Sequence, residues 1–320
     1  MNRRAAIALA CAICAAPAAA QMPRFPEKPV TFIVPFAAGS ATDQLARALG
    51  VSFTEKTGQP VVVDNRGGAG GLIAAQAVAR AAADGYTVLI TTNTTQVANP
   101  YLYRKLPYDP VGDFAPVTGL GRGGQVLVVP ASSPYVSVKD VLAQARAQPG
   151  KLSFGAGNSS SRVAGEMLKQ LSNTDILYVP YKSNPQALTD LLGGQIDLMV
   201  IDTVTGMPQI ESGKLRALGA STPRRLGVLP KVPTLDEAGV KGYDIGYWFA
   251  AYVPAKTSPT VVARLRGLLV DAVQSPQAKA FFDNTGTEPW TTTSDELSRF
   301  QAADAKKWEK VIKAANIQPE

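Results

Sequence analysis

The chain has 320 residues, with 32 Lys and Arg against 25 Asp and Glu, a formal charge of +7. It contains no histidine, which excludes Ser-His-Asp and Cys-His catalysis, His-ligated zinc and histidine general bases. Both cysteines, Cys11 and Cys14, precede Gln21, so a chain begun at Gln21 has no thiol for a disulfide, a nucleophile or a metal.

The N-terminus reads as a cleavable export signal. Arg3 and Arg4 supply its positive region, Ala5–Ala16 its apolar run, and Ala18-Ala19-Ala20 the cleavage pattern before Gln21. That run makes about 18 Å of helix, too short to cross a bilayer. Twin-arginine export, and lipid attachment at Cys11 or Cys14, fit the flanking residues poorly. No later apolar run is long enough to span a membrane, so the expected product is a soluble protein of the periplasm. Basic residues cluster no further than pairs such as Arg224-Arg225 and Lys306-Lys307. A small anion is therefore a better partner than nucleic acid.

Val30–Val34 is a short buried strand that ends at Pro35. The small residues Ala38, Gly39, Ser40 and Ala41 follow. Thr42 and Asp43 are placed to cap a helix over Gln44–Lys56, with Leu45, Leu49 and Phe53 on one face. Strand, small-residue loop and helix start together present backbone N–H groups and a positive dipole end to an anion. A strand at Pro60–Val63, a helix at Leu72–Ala83 and a strand at Tyr86–Thr91 complete a βαβαβ run. Asn93–Asp113 reads as an irregular surface excursion. Val117–Val129 is β-like, interrupted at Gly121–Gly124.

A second α/β pattern begins there. Helices are expected at Ser137–Ala147, Arg162–Leu171, Pro185–Leu192 and Thr205–Ser212. They alternate with strands at Lys151–Phe154, Asp175–Val179, Ile196–Ile201 and Leu215–Ala220. Tyr247–Val253 is a continuous apolar strand. Helical stretches near Ser258–Gln274, Pro276–Asn284 and Ser294–Ala315 follow. The pattern predicts an α/β fold of two lobes, each a mostly parallel sheet flanked by helices. Lobe 1 is 21–123 with 248–320, lobe 2 is 124–247, and the ligand cleft lies between them. The crossings fall near Gly121–Val126 and Gly246–Ala250.

Lobe 2 repeats the opening device. Strand Leu152–Phe154 runs into Gly155-Ala156-Gly157-Asn158-Ser159-Ser160-Ser161 and then into a helix from Arg162. The loop offers amides, one carboxamide and three hydroxyls to a carboxylate, and Arg162 adds a charge; the same residues can also simply cap the helix. Asn93, after the polar strand end Thr91-Thr92, can line the cleft or form a turn. Asp202 can bind a ligand or cap the next helix, and Asp43 has the same two readings. Tyr181 and Trp248 can wall a ligand or fill the core, and Arg66 can reach an anion or stay solvated. Gly67–Gly71 and Gly121–Gly124 do not continue into dinucleotide fingerprints, and no P-loop exists, so a nucleotide cofactor is not expected. No metal or other cofactor is expected either.

These residues carry a resemblance. PVTFIVPFAAGSATD (29–43), VVVDNRGGAGG (61–71), NPYLYRKLPYDPVGDFAPVT (99–118), PGKLSFGAGNSSS (149–161), ALTDLLGGQIDLM (187–199) and LPKVPTLDEAGVKGY (229–243) resemble the tripartite tricarboxylate transporter substrate-binding proteins, the Bug family of periplasmic receptors. The resemblance runs in order along essentially the whole mature chain. It implies a type II periplasmic-binding fold that closes on a small carboxylate. The implied anion loops are Phe36–Asp43 and Asn158–Ser161. The implied partners are integral-membrane transporter subunits met transiently by a monomer. The chain departs from the family pattern at Ser40, Ser159, Arg162, Ser183-Asn184 and Thr203, where the family has glycine, glycine, histidine, glycines and asparagine. Arg162 is on this view a counter-charge for a second ligand carboxylate. The expected function is a non-enzymatic carboxylate receptor. Its alternatives are a sensory module for a membrane signalling partner, with the same binding chemistry, and a secreted hydrolase using Asp43 and Asp202.

Overall fold

The computed structural model describes residues 25–319; the export signal expected at 1–20 lies outside them. The first half of lobe 1 follows the expected pattern closely. Strands β1 (Val30–Val34), β2 (Val61–Asn65) and β3 (Thr87–Thr92) alternate with helices α1 (Ala41–Thr57) and α2 (Leu72–Ala79). The three strands pair in parallel, in the order β2-β1-β3. Phe32, Leu45, Leu49 and Phe53 are buried together, which fixes α1 on the sheet.

Asn93–Asp113 is an irregular surface excursion only in its second half, 103–113; its first half is largely buried and helical. Thr94–Ala98 forms one turn of π-helix and runs into the short helix α3 (Asn99–Leu102). Thr94, Thr95, Gln96, Val97, Ala98 and Asn99 are all buried. Their polarity misleads because several of their polar groups bond within the fold. The Tyr108 hydroxyl donates to the Thr95 carbonyl at 2.7 Å, and Thr91 and Thr95 share a 2.6 Å hydroxyl contact.

Strand β4 (Phe114–Pro130) is continuous, not broken at its glycines. Those glycines serve close approach. A Cβ on Gly123 would meet the Tyr247 hydroxyl at 2.4 Å, and one on Gly124 would meet Thr222 Cγ2 at 2.7 Å. Lobe 2 contains α4 (Val138–Ala147), β5 (Ser153–Ala156), α5 (Ser159–Ser172), β6 (Leu177–Pro180), α6 (Asn184–Leu192), β7 (Met199–Asp202), α7 (Thr203–Glu211) and β8 (Leu215–Ala220). The chain returns through β9 (Gly246–Pro254) and closes lobe 1 with α8 (Pro259–Val273), α9 (Pro276–Thr285), the two-residue β10 (Glu288–Pro289) and α10 (Ser294–Ala314).

The sheets are mixed. β9 lies antiparallel between β3 and β4, and β10 adds antiparallel to β4. Parallel strands pair in β2-β1-β3 and in β5-β6, with isolated parallel bridges at Phe154–Leu198 and Ala220–Thr234. The long strand β4 serves both sheets. Its first part pairs with β9, down to Gly124 opposite Gly246, and its last part, from Gln125, pairs with β7 and β8. The two stretches expected to cross between lobes, in β4 and β9, therefore run side by side as hydrogen-bonded neighbours. Among the described residues no helix is long and apolar enough to cross a membrane.

Candidate functional site

Four helices begin at one place between the lobes. Ser40 precedes α1, Asn158 precedes α5, Ser183 precedes α6 and Asp202 precedes α7. Their first-turn residues Ala41, Thr42, Ser160, Asn184 and Thr205 line an interlobe cavity with Phe36, Thr92, Asn93, Gln125, Tyr247 and Phe249. The leading amides of a helix have no intrahelical acceptor, and each N-terminus carries roughly half a positive charge. The lining has no Lys or Arg and a single carboxylate, Asp202. An anion placed here would meet neutral donors and helix ends rather than a cationic side chain.

The cap of α1 is Ser40, not Thr42 or Asp43, and the helix starts three residues before the expected Gln44. Gly39 at φ +79° turns the chain so that Ser40 is extended and its hydroxyl accepts from the Asp43 amide. Asp43 lies beneath this turn. Its Oδ2 accepts from the Gly39 amide at 2.9 Å and from Arg47 Nε at 3.1 Å. Burial pushes the Asp43 carboxyl up, but the Arg47 side chain, the Gly39 amide and Asn65 together hold it below the ordinary value of 3.8.

Helix α5 likewise starts three residues before the expected Arg162, because Asn158 caps it by accepting from the Ser161 amide at 2.8 Å. Asn184 is the junction of lobe 2. Its Oδ1 accepts from the Gly157 amide at 3.0 Å, and its Nδ2 donates to Ser161 Oγ at 3.0 Å and to Asp202 Oδ2 at 2.9 Å. Asp202 caps α7 through the Thr205 amide at 2.8 Å while lining the cavity, so capping and cleft placement coincide. The serines of α5 also reach across. Ser159 Oγ donates to Asn99 Oδ1 at 2.8 Å, and Ser160 Oγ accepts from Asn93 Nδ2 at 2.9 Å.

Of the expected site residues, Phe36, Ser40, Asn93, Asn158, Ser160 and Asp202 meet at the cavity. Ser159 and Ser161 do not line it; Ser159 bonds to Asn99, and Ser161 accepts from Asn184 and Gln125. Ala38 and Gly39 are exposed on the turn. Arg162 does not line the cavity; its guanidinium lies 5.1 Å from the centre of the Tyr178 ring, since the side chain leaves α5 toward β6. Tyr181 is also elsewhere, tied through its hydroxyl to Asp190 Oδ2 at 2.7 Å. Trp248 turns to the far side of β9, where Nε1 donates to Asp304 at 2.7 Å. Asn184 was singled out only as a departure from the family pattern, and Gln125, Thr205, Tyr247 and Phe249 were not foreseen. Tyr247 is buried and neutral, its hydroxyl between Thr203 and Thr287 at 3.0 and 2.9 Å.

A wider groove of about 870 Å³ lies behind the crossings, among Arg122, Arg224, Trp248, Glu288 and Lys307. None of its lining residues starts a helix, and ion pairs Arg122–Glu288 and Lys307–Asp244 rim it. The front cavity, though about 20 Å³ and able to hold one water-sized sphere, is where the donors converge. Among the described residues no group of His, Cys, Asp and Glu is arranged to hold a metal.

Residues 45–317 match the tripartite tricarboxylate transporter family receptor. The chain belongs to this family. BugT of Bordetella pertussis is 34% identical over 310 residues, covering 96% of this chain and 94% of BugT. Among solved structures, an R. palustris protein with adipate superposes with a TM-score of 0.90 at 35% identity, covering 92% of this chain and all of the other. MatC from Rhodopseudomonas palustris with bound malate gives 0.85 at 29% identity, covering 90% of this chain and all of MatC. The family member described above is thus similar throughout to periplasmic-binding folds, with the two-lobed α/β architecture expected from its sequence.

Proposed function

We propose that this family member captures a small carboxylate in the interlobe cleft and delivers it to integral-membrane transporter subunits in the periplasm, acting as a monomer without catalysis. The observation that carries the reading is the convergence of four helix N-termini on a cavity that no cation lines. That geometry suits an anion with several acceptor oxygens and no fixed counter-charge. The relatives solved with adipate and malate support the same class of ligand.

Closure is part of the proposal. We place lobe 1 at 21–123 with 248–320 and lobe 2 at 124–247, hinged at Gly121–Val126 and Gly246–Ala250. A cavity of about 20 Å³ admits no carboxylate, so loading requires the lobes to part. The paired crossings give two adjacent strands that can twist together while each sheet stays intact. The ligand-contacting set proposed is Phe36, Ser40, Asn93, Asn158, Ser160 and Asp202, extended by Gln125, Asn184 and Thr205.

The test is a thermal-melt screen of the chain from Gln21 against a carboxylate library. A ligand at a hundredfold excess over Kd stabilises by about 2.7 kcal/mol, several degrees in a protein this size. A melt raised by carboxylates supports the reading. A melt raised only by sugars or nucleotides refutes it.

A further inference from the structure

One side chain stands between the front cavity and the wide groove behind the crossings. Tyr247 lines both, and it is the residue their linings share. Its hydroxyl meets both lobes at once. It bonds with Thr203 Oγ1 of α7, on the lobe 2 side, at 3.0 Å and with Thr287 Oγ1, on the lobe 1 side, at 2.9 Å. Thr287 Oγ1 lies 2.9 Å from Thr285 Oγ1, which donates to the Phe281 carbonyl at 2.8 Å, so the run of hydroxyls ends on the backbone of α9. Thr203, Tyr247, Thr285 and Thr287 are all buried. Burial, and then the charge of Asp202, raises the phenol above its ordinary value of 10, so it stays neutral and can both donate and accept. The ring reaches this place because position 123 on β4 is glycine; a Cβ there would overlap the hydroxyl. Val204, next to Thr203, is buried in one apolar cluster with Phe249 and Phe282, so packing also holds the start of α7 against lobe 1.

We infer that the Tyr247 hydroxyl is the latch of the closed form, making Tyr247 a positioning residue at the pivot that sets how long a ligand stays bound. The inference rests on the lobes and the closure proposed above and goes beyond them. Thr203 and Thr287 sit on bodies that rotate apart about Gly121–Val126 and Gly246–Ala250. One oxygen cannot follow both, and a hydrogen bond is gone once its oxygens part beyond about 3.5 Å. Opening therefore strips a buried hydroxyl of its partner, which favours the closed form. Neither threonine lines the front cavity, so the latch acts through Tyr247 and not by touching the ligand.

The experiment is stopped-flow release of malate or adipate, whichever the chain from Gln21 binds more tightly, followed by tryptophan fluorescence. Trp248 adjoins Tyr247 and lines the groove, so it reports on the pivot. The unmodified chain is compared with Tyr247→Phe, Thr287→Val and Thr203→Val. Phenylalanine keeps the ring and valine keeps the branched shape, so each variant removes a hydroxyl. Release from Tyr247→Phe is expected to be about tenfold faster, with the association rate little changed. Thr287→Val is expected to quicken release nearly as much, and adding it to Tyr247→Phe to quicken it no further. A residue that only supports the fold would lower the melt without this split between the two rates. Faster release in Tyr247→Phe but in neither threonine variant would make the hydroxyl a ligand contact and overturn the latch. Unchanged release in Tyr247→Phe overturns it outright. Both results leave the carboxylate receptor standing. If neither diacid binds, solution scattering of the ligand-free chains decides the latch, while the melt screen decides the carboxylate reading. A larger radius of gyration in Tyr247→Phe supports the latch, and an equal one overturns it.

Discussion

The two loops proposed to hold the anion share a plan and differ in what they are tied to. The loop of lobe 1 is closed on itself: Asp43 bonds to Gly39 and Arg47, and Asn65 Nδ2 holds the Phe36 carbonyl at 3.0 Å, all within one lobe. The loop of lobe 2 is joined to everything around it. Gly157 packs on the start of α6, Asn184 couples it to α7, and Ser159 and Ser160 cross to lobe 1. One loop is therefore a rigid donor platform whose geometry is independent of closure. The other holds bonds across the proposed cleft that parting of the lobes would break. Anion binding by backbone amides needs only the first kind; coupling of binding to closure needs the second.

The comparison can be broken most severely at Gly157. A Cβ there would lie 1.9 Å from the Ser183 carbonyl carbon and 2.3 Å from the Asn184 amide nitrogen, both backbone atoms. Gly157→Ala should cost about 3 kcal/mol or more and lower the melting temperature by roughly 10 °C, with loss of ligand response, measured by calorimetry. An unchanged melt would mean that lobe 2 is not organised around this contact. The double variant Ser159→Ala, Ser160→Ala removes two buried hydrogen bonds between lobes, worth about 2 kcal/mol together. It should shift the ligand-free protein toward an open form, seen as a larger radius of gyration in solution scattering, with little change in the melt of lobe 1.

The smallest expected effect sharpens the self-contained character of the first loop. The Asp43 carboxyl has a folded value below its unfolded one, so its stabilising contribution is complete above the ordinary carboxylate range. It is lost as pH falls below 3.8 toward the folded value. Asp43→Asn should therefore lower the melt at neutral pH, and the gap from the unmodified chain should narrow as pH drops below about 4. A gap that is constant with pH would show that the carboxylate charge contributes nothing to that loop.

Much of the cleft was legible because its residues sit where a strand stops and a helix starts. Ser40, Asn158 and Asp202 are cap-forming types at such junctions, and the chain direction in α/β sheets brings those junctions to one edge. Helix starts were misplaced by three residues at α1 and α5 because small polar residues read equally as loop and as first turn. Gln125 escaped notice although it is the one polar residue of the run QVLVV, a break in an apolar strand that could have marked it. It faces the cavity only because β4 passes between sheets there, which is a fact of tertiary pairing. Tyr247 was hidden inside an apolar run. Arg162 misled for a different reason: it stands two residues past Ser160, which lines the cleft, and a helix turns about 100° per residue. The burial of Thr94–Ala98 was invisible because it depends on packing against elements distant in sequence, such as α10, whose Gln301 donates to the Gln96 carbonyl.

The central claim is that one carboxylate is gripped by the first turns of α1 and α5 at once. Amide resonances of Ala41, Thr42, Ser159 and Ser160, followed by NMR during titration with a carboxylate that raises the melt, test it directly. The account predicts that amides on both helices shift together and saturate at the same ligand concentration. Shifts confined to one lobe, or centred on the groove around Trp248 and Lys307, would contradict it.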